Sequence, residues 1–75
     1  MMDHDKFTER FRLLMREHHY ERKKYVLARR LGYKSSSVMT IWMTTTQWPT
    51  IKTLDMIADM WGVSVDWLIG RTDER

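Results

Sequence analysis

The side chains in this chain best placed to do chemistry are its cations. Arg22, Lys23 and Lys24 are consecutive, Arg29 and Arg30 follow one helical stretch later, and Lys34 comes after them. Residues 1–34 hold ten Lys and Arg against five Asp and Glu, a net +5, whereas residues 35–75 hold three against five, a net −2. A basic half beside an acidic half suggests a face that meets a polyanion, although a solvated surface would carry the same charges. The other candidate groups are His4, His18 and His19. Adjacent residues on a helix point about 100° apart, and neither a cysteine nor a paired carboxylate completes a metal site. His18 and His19 are expected at a helix end, where a positive imidazole is tolerated. With no nucleophile–base pair, carboxylate dyad or glycine-rich phosphate loop, the sequence points to no enzyme, no metal and no cofactor.

The elements that must position the cations centre on residues 27–49, LARRLGYKSSSVMTIWMTTTQWP. Leu27, Ala28 and Leu31 share one face of a helix, expected over about 21–31 with Tyr25 and Val26 adding to its apolar side. Gly32 follows, the residue that accepts a left-handed conformation at a helix end. Ser35 is the expected N-cap of a second short helix over about 36–44, in which Met39 and Trp42 face inward. That helix must stop before Pro49. Two short helices joined by a glycine-containing turn read as a helix-turn-helix. Arg22, Lys23 and Lys24 crowd the start of the first of these helices, against its dipole. A bound anion makes sense of that placement, because a helix N-terminus is itself an anion site.

Three further helices frame this pair. Asp5 can cap a first helix running to about 18 or 20, with Phe7, Phe11, Leu14 and His18 as its stripe and Met15 beside it. Glu9 and Arg12, three apart, can pair weakly on its outer side. Thr50 caps a fourth helix over about 51–61, with Leu54, Ile57, Ala58 and Trp61 inward, and Gly62 ends it. Ser64 caps a short fifth helix over about 65–69, with Asp66 favourably placed in its first turn and Gly70 closing it. Met43, Met56, Met60, Trp67 and Ile69 then look like more apolar surface than so small a core can hold. Such a surplus marks a contact site. Trp67 and Leu68 have a second use, packing on the first helix, and both uses can hold on different edges.

Seventy-five residues allow one domain, with an ordered core expected over about 5–70 and short tails at 1–4 and 71–75. The small core leaves a thin margin of stability, and without cysteine no disulfide or thiolate zinc site adds to it. Absence of cysteine fits a reducing cytoplasm. No apolar run approaches the roughly 20 residues needed to span a bilayer. MMDHDKF has neither the hydrophobic core nor the cleavage site of a signal peptide.

The motif L-A-x-x-L-G, a Ser-rich helix with an apolar–x–x–Trp pair, and the run from Pro49 through W-G-V-S-V-D-W-L-I-G together resemble the Cro/CI, or lambda-repressor-like, helix-turn-helix family over residues 7–70. Pro49, Thr50, Thr53, Leu54, Ile57, Ala58, Trp61, Gly62, Val63, Ser64, Asp66, Trp67, Leu68 and Gly70 carry its most specific part. The resemblance implies an all-α, compact five-helix fold with the helix-turn-helix at helices two and three. It implies a sequence-specific regulator of double-stranded operator DNA, a repressor of phage or prophage type, acting as a dimer or higher oligomer in the bacterial cytoplasm and nucleoid. A protein antagonist such as an antirepressor is then a further partner. Base contacts fall on Ser36, Ser37 and Ile41, with Thr40 also outward. Phosphate contacts fall on Arg22, Lys23, Lys24, Lys34, Ser35, Thr44, Thr45 and Thr46, Lys24 standing where relatives usually carry a backbone-contacting Gln. The oligomer interface falls on Val65, Trp67, Leu68 and Ile69.

The chain departs from that pattern in two ways. The turn from Gly32 to Met39 is one residue longer than the commonest form, and residues 35–47 contain no charge. Serine can serve several base edges and an apolar group can touch a thymine methyl, but no Arg, Asn or Gln is present on the third helix for a bidentate contact. A helix-turn-helix that has lost DNA binding and serves as a protein-interaction module is therefore the alternative.

Overall fold

A computed structural model describes all of residues 1–75. It is all-α, with five helices: α1 His4–Glu17, α2 Lys24–Arg30, α3 Ser37–Thr44, α4 Ile51–Trp61 and α5 Val65–Leu68. The core forms where the apolar stripe of α1 meets the other four. Phe7, Phe11 and Leu14 of α1 are fully buried, and with Leu27, Met39, Ile57 and Leu68 they supply its largest enclosed side chains. Its centre is aromatic. Phe11 meets Trp42 of α3 edge-on at 6.0 Å between centroids and Trp61 of α4 at 5.9 Å, and it stacks on Phe7 at 5.7 Å.

α1 starts two residues earlier than Asp5 would have it. Asp3 is the N-cap, its carboxylate accepting from Lys6 N at 3.1 Å, while Asp5 lies in the first turn, where its charge suits the dipole. Tertiary anchoring decides between the two acids, because Asp3 N also donates to Ile69 O at 2.8 Å. His4 is thus helical rather than part of a tail, and its ring lies 4.9 Å from that of Trp48.

The far end of α1 stops at Glu17, with His18 as C-cap and His19 in the left-handed region at φ 64°. Tyr20 N donates to Met15 O and His19 N to Arg16 O, the paired bonds of a Schellman ending. The histidines do end the helix. His18 stacks on Trp61 with planes 7° apart. This ending also shortens α2, which begins at Lys24 rather than near residue 21, so Glu21, Arg22 and Lys23 lie ahead of it. Tyr25, expected on the apolar side, is 64% exposed. It precedes Leu27 by two residues, roughly 200° of helical rotation, and Leu27, Ala28 and Leu31 already fill the inner face.

Trp67 and Ile69, counted as surplus apolar surface in the sequence, are inside: Trp67 is 5% exposed, Leu68 0% and Ile69 7%. Two guanidinium groups cover the Trp67 ring, Arg10 at 4.9 Å and Arg75 at 4.8 Å from its centroid. Arg10 Nη1 also donates to Trp67 O and Thr72 O, and its Nη2 to Asp73. Arg75 makes a two-bond pair with Glu17 at 2.6 and 2.9 Å, and Ser64 N donates to Arg75 O. Tertiary contacts therefore reach beyond 5–70 at both ends. The hydrogen bond from Arg75 holds the Glu17 carboxyl below its ordinary range. What this clasp contributes is present above the ordinary carboxylate titration and is lost as the pH falls through the lowered value.

Gly70 joins the two ends of the fold. Its φ is +87°, and a Cβ there would lie 2.9 Å from Asp3 Cβ and 3.0 Å from Lys6 Cβ. Gly70→Ala is expected to destabilise the domain by about 1–3 kcal/mol from backbone conformation alone, with the close approach adding to it. Thermal unfolding followed by circular dichroism checks this, and an unchanged midpoint would refute the tight junction between Asp3 and Gly70.

Candidate nucleic-acid interface

α2 and α3 form a tight pair. Leu31 caps α2, Gly32 takes φ +91°, and Tyr33 N and Gly32 N donate to Ala28 O and Arg29 O. This second Schellman ending turns the chain sharply into the 33–36 loop. Tyr33 fills the angle between helices, its ring edge-on to Trp42 at 5.7 Å. Its hydroxyl is hydrogen-bonded to Thr53 Oγ1 at 2.8 Å, and Thr50 Oγ1 donates to the same oxygen at 3.0 Å. The turn is thereby tied to the start of α4, where Thr50 caps the helix by accepting from Thr53 N.

α3 has two faces. Met39 and Trp42 are buried at 1% and 3%, holding it on the core. Ser37, Thr40, Ile41 and Thr44 are exposed, and Ser36 is half-buried at the N-cap. The cap is shifted by one residue from Ser35, but the Ser35 hydroxyl still does the expected work, accepting from Ser37 N at 3.0 Å. It also bonds Ser37 Oγ at 2.6 Å, so these two hydroxyls act as a pair. At the other end, the Thr44 hydroxyl donates to Thr40 O and the Thr45 hydroxyl to Ile41 O. The Ile41 carbonyl also accepts from Thr45 N at 3.0 Å, so the Thr45 hydroxyl adds a second bond to it. Of the three threonines, Thr46 alone keeps a hydroxyl without a partner in the chain.

The cations divide into groups. Lys24, at the first position of α2, lines a cleft of about 270 Å³ with Arg12 of α1 and with Thr40 and Thr44 of α3. Lys34 is exposed in the turn just ahead of α3. Lys24 and Lys34 therefore flank the exposed face of α3, one beside its middle and one before its start. Arg22 and Lys23 line a separate shallow cleft with His19 and Glu21. Sequence reasoning passed over Arg12. Its expected partner Glu9 is not within ion-pair distance, and the guanidinium has no carboxylate partner. No residue pattern in the sequence singles it out.

The arrangement is a short helix with a hydroxyl-rich outer face, seated on aromatic residues and bordered by cations. A family model described as a Cro/C1-type HTH DNA-binding domain matches residues 10–74. The chain belongs to this family. No curated protein and no solved structure matches it. As a Cro/C1-type domain it is a DNA-binding regulator of transcription whose partner is double-stranded DNA, and α2 and α3 are its helix-turn-helix. No helix in this Cro/C1-type domain is long and apolar enough to cross a membrane.

In this Cro/C1-type domain the Tyr33 hydroxyl bridges the turn and α4, so Tyr33→Phe removes one partly buried hydrogen bond while leaving the ring on Trp42. A loss of about 1 kcal/mol is expected in urea unfolding. A variant as stable as the wild type would show that the bond to Thr53 holds nothing.

Proposed function

We propose that the protein is a sequence-specific repressor of phage or prophage type that binds operator DNA as a dimer or higher oligomer, with a protein antagonist such as an antirepressor as a further partner. One observation carries the reading. The exposed face of α3 offers Ser37, Thr40 and Ile41, with Ser36 at its start, while its other face is locked by Met39 and Trp42. Hydroxyls serve several base edges, and Ile41, 41% exposed, suits a thymine methyl. Lys24, Lys34 and Thr46, with support from Ser35, Thr44 and Thr45, hold the flanking phosphates. Arg22 and Lys23 add to the field that draws DNA in.

Self-association belongs to the same proposal. One α3 covers only a few base pairs, and with no bidentate reader on it a single half-site binds weakly. Two linked copies raise the effective concentration without new base contacts. Trp67, Leu68 and Ile69 are enclosed in their own chain, so they support this surface from beneath, and half-buried Val65 is the member of the set that a second copy can reach.

The uncharged stretch 35–47 favours a second reading, a protein-interaction module on the same fold. Selection of bound sites from a random duplex library, followed by salt titration on the selected site, separates the two. The repressor reading expects an enriched motif and retention that falls steeply with salt, and the interaction module expects neither. On the selected site, Ser37→Ala and Ile41→Ala should each change the preferred bases at about 1–3 kcal/mol per lost contact. Folded variants with unaltered preference would refute α3 as the reader. In sedimentation equilibrium, Val65→Asp should shift the protein toward monomer while its helical signal stays. A wild type that is monomeric at high micromolar concentration, free and on DNA, would remove self-association from the proposal.

A further inference from the structure

The α1 residue Arg12 is exposed, and its side chain makes neither an ion pair nor a hydrogen bond within the chain. Other arginines of the same region are engaged: Arg10 with Trp67, Thr72 and Asp73, Arg16 with Glu21 at 4.0 Å, and Arg30 with Tyr20. An unpaired guanidinium is not unusual on a surface, but the position of this one is particular. Arg12 lines two clefts at once. One is the cleft it shares with Lys24, Thr40 and Thr44. The other, about 630 Å³, runs between α1 and the end of α3, where Thr44, Thr45 and Thr46 form the opposite wall. Arg12 thus stands where the two meet, between the cation that opens α2 and the threonines that close α3.

We propose that Arg12 is a phosphate-binding residue, taking a DNA backbone phosphodiester at the junction of the two clefts, beside Thr44, and so extending the interface from the helix-turn-helix onto α1. This rests on the DNA-binding reading above. The charges say which part of the larger cleft is used. Asp5 and Glu9 line that cleft too and repel a phosphate, so the strand passes at the Arg12 and Thr44 end, away from Thr46, which borders His4 and Asp5. Chemistry favours the guanidinium for the task, since its planar fork can hold two phosphate oxygens at once.

The test is a salt titration of DNA binding, read by fluorescence anisotropy on a labelled duplex, for wild type, Arg12→Gln, Arg12→Lys and Lys52→Gln, the last an exposed cation on α4. Each neutralised phosphate contributes about 0.9 to the slope of log affinity against log salt. Arg12→Gln should flatten the slope by about that amount and weaken binding about eightfold at 0.1 M salt, equally on the selected site and on random duplex. Arg12→Lys should keep the slope and recover most of the affinity, and Lys52→Gln should match the wild type. Arg12→Gln with the wild-type slope overturns the proposal while leaving DNA binding intact. A slope lowered as much by Lys52→Gln overturns it as well, because general charge would then explain the effect. A wild type without salt-dependent binding overturns the DNA-binding reading itself. Circular dichroism of Arg12→Gln should match the wild type, and a lost fold would show Arg12 to be structural and also overturn the assignment.

Discussion

The packing of Phe11 against Trp42 and Trp61 is the contact on which the rest of the structure depends. α2 has seven residues and α3 eight, lengths at which an isolated helix in water is not stable. Their shape and direction must come from what they lie on. Phe11 is fully enclosed and touches one tryptophan from α3 and another from α4, so a single side chain of α1 sets where both helices sit. Trp42 is held on a second side by the edge of Tyr33. Tyr33 in turn reaches Thr53, and Thr53 belongs to the capped first turn of α4. The outer face of α3 is thus fixed from beneath by aromatic rings and from one side by a chain of hydroxyls. Fixing α3 in this way lets a helix with no charge of its own present a defined surface to DNA.

The parts of the fold that were legible in the sequence are those whose signals are local. α4 begins and ends where Thr50 and Gly62 put it, and Leu54, Ile57, Ala58 and Trp61 are its buried stripe, because a cap, a stripe and a left-handed glycine coincide there. Met39 and Trp42 point inward for the same kind of reason. Where two local signals compete, tertiary contact decides. Asp3 and Asp5 are both good caps, and the hydrogen bond to Ile69, 66 residues away, selects Asp3. His19 in a left-handed conformation has no sequence signature, since glycine is the usual sign, and so the true start of α2 was hidden. The burial of Trp67 was hidden for a related reason. Arg10 and Arg75 are distant in sequence from one another, and only the folded chain shows them both against one ring.

The candidate interface was legible to the extent that it depends on α3. The outward positions follow from the inward pair, because a helix that buries Met39 and Trp42 has to expose Ser37, Thr40 and Ile41. The flanking cations were less legible. Arg22, Lys23 and Lys24 are consecutive and look equivalent, yet the Schellman ending of α1 sends the first two to a different cleft from Lys24. Arg12 carried no mark at all, because freedom from a partner is a property of the surroundings and cannot be read from the residue.

On the proposal that α3 is the reader, these facts explain how a neutral helix can do that work. Serine, threonine and isoleucine reach only a short distance from the backbone, so base contacts from α3 require the helix to lie close to the floor of the major groove. Nothing on α3 itself draws it there, since residues 35–47 carry no charge. The approach has to be driven from the flanks, by cations on elements that are rigidly joined to α3. Lys24 meets this condition through the α2–α3 turn, and Lys34 through the loop that leads into Ser37. Arg12 meets it through α1, whose Phe11 is packed directly on Trp42. Phosphate contacts set depth and orientation but carry no sequence information of their own, whereas short hydroxyl and methyl contacts carry sequence information but supply little attraction. Dividing the two tasks between separate elements makes base recognition depend on the stiffness of the joint between them, and that joint is the aromatic cluster around Phe11.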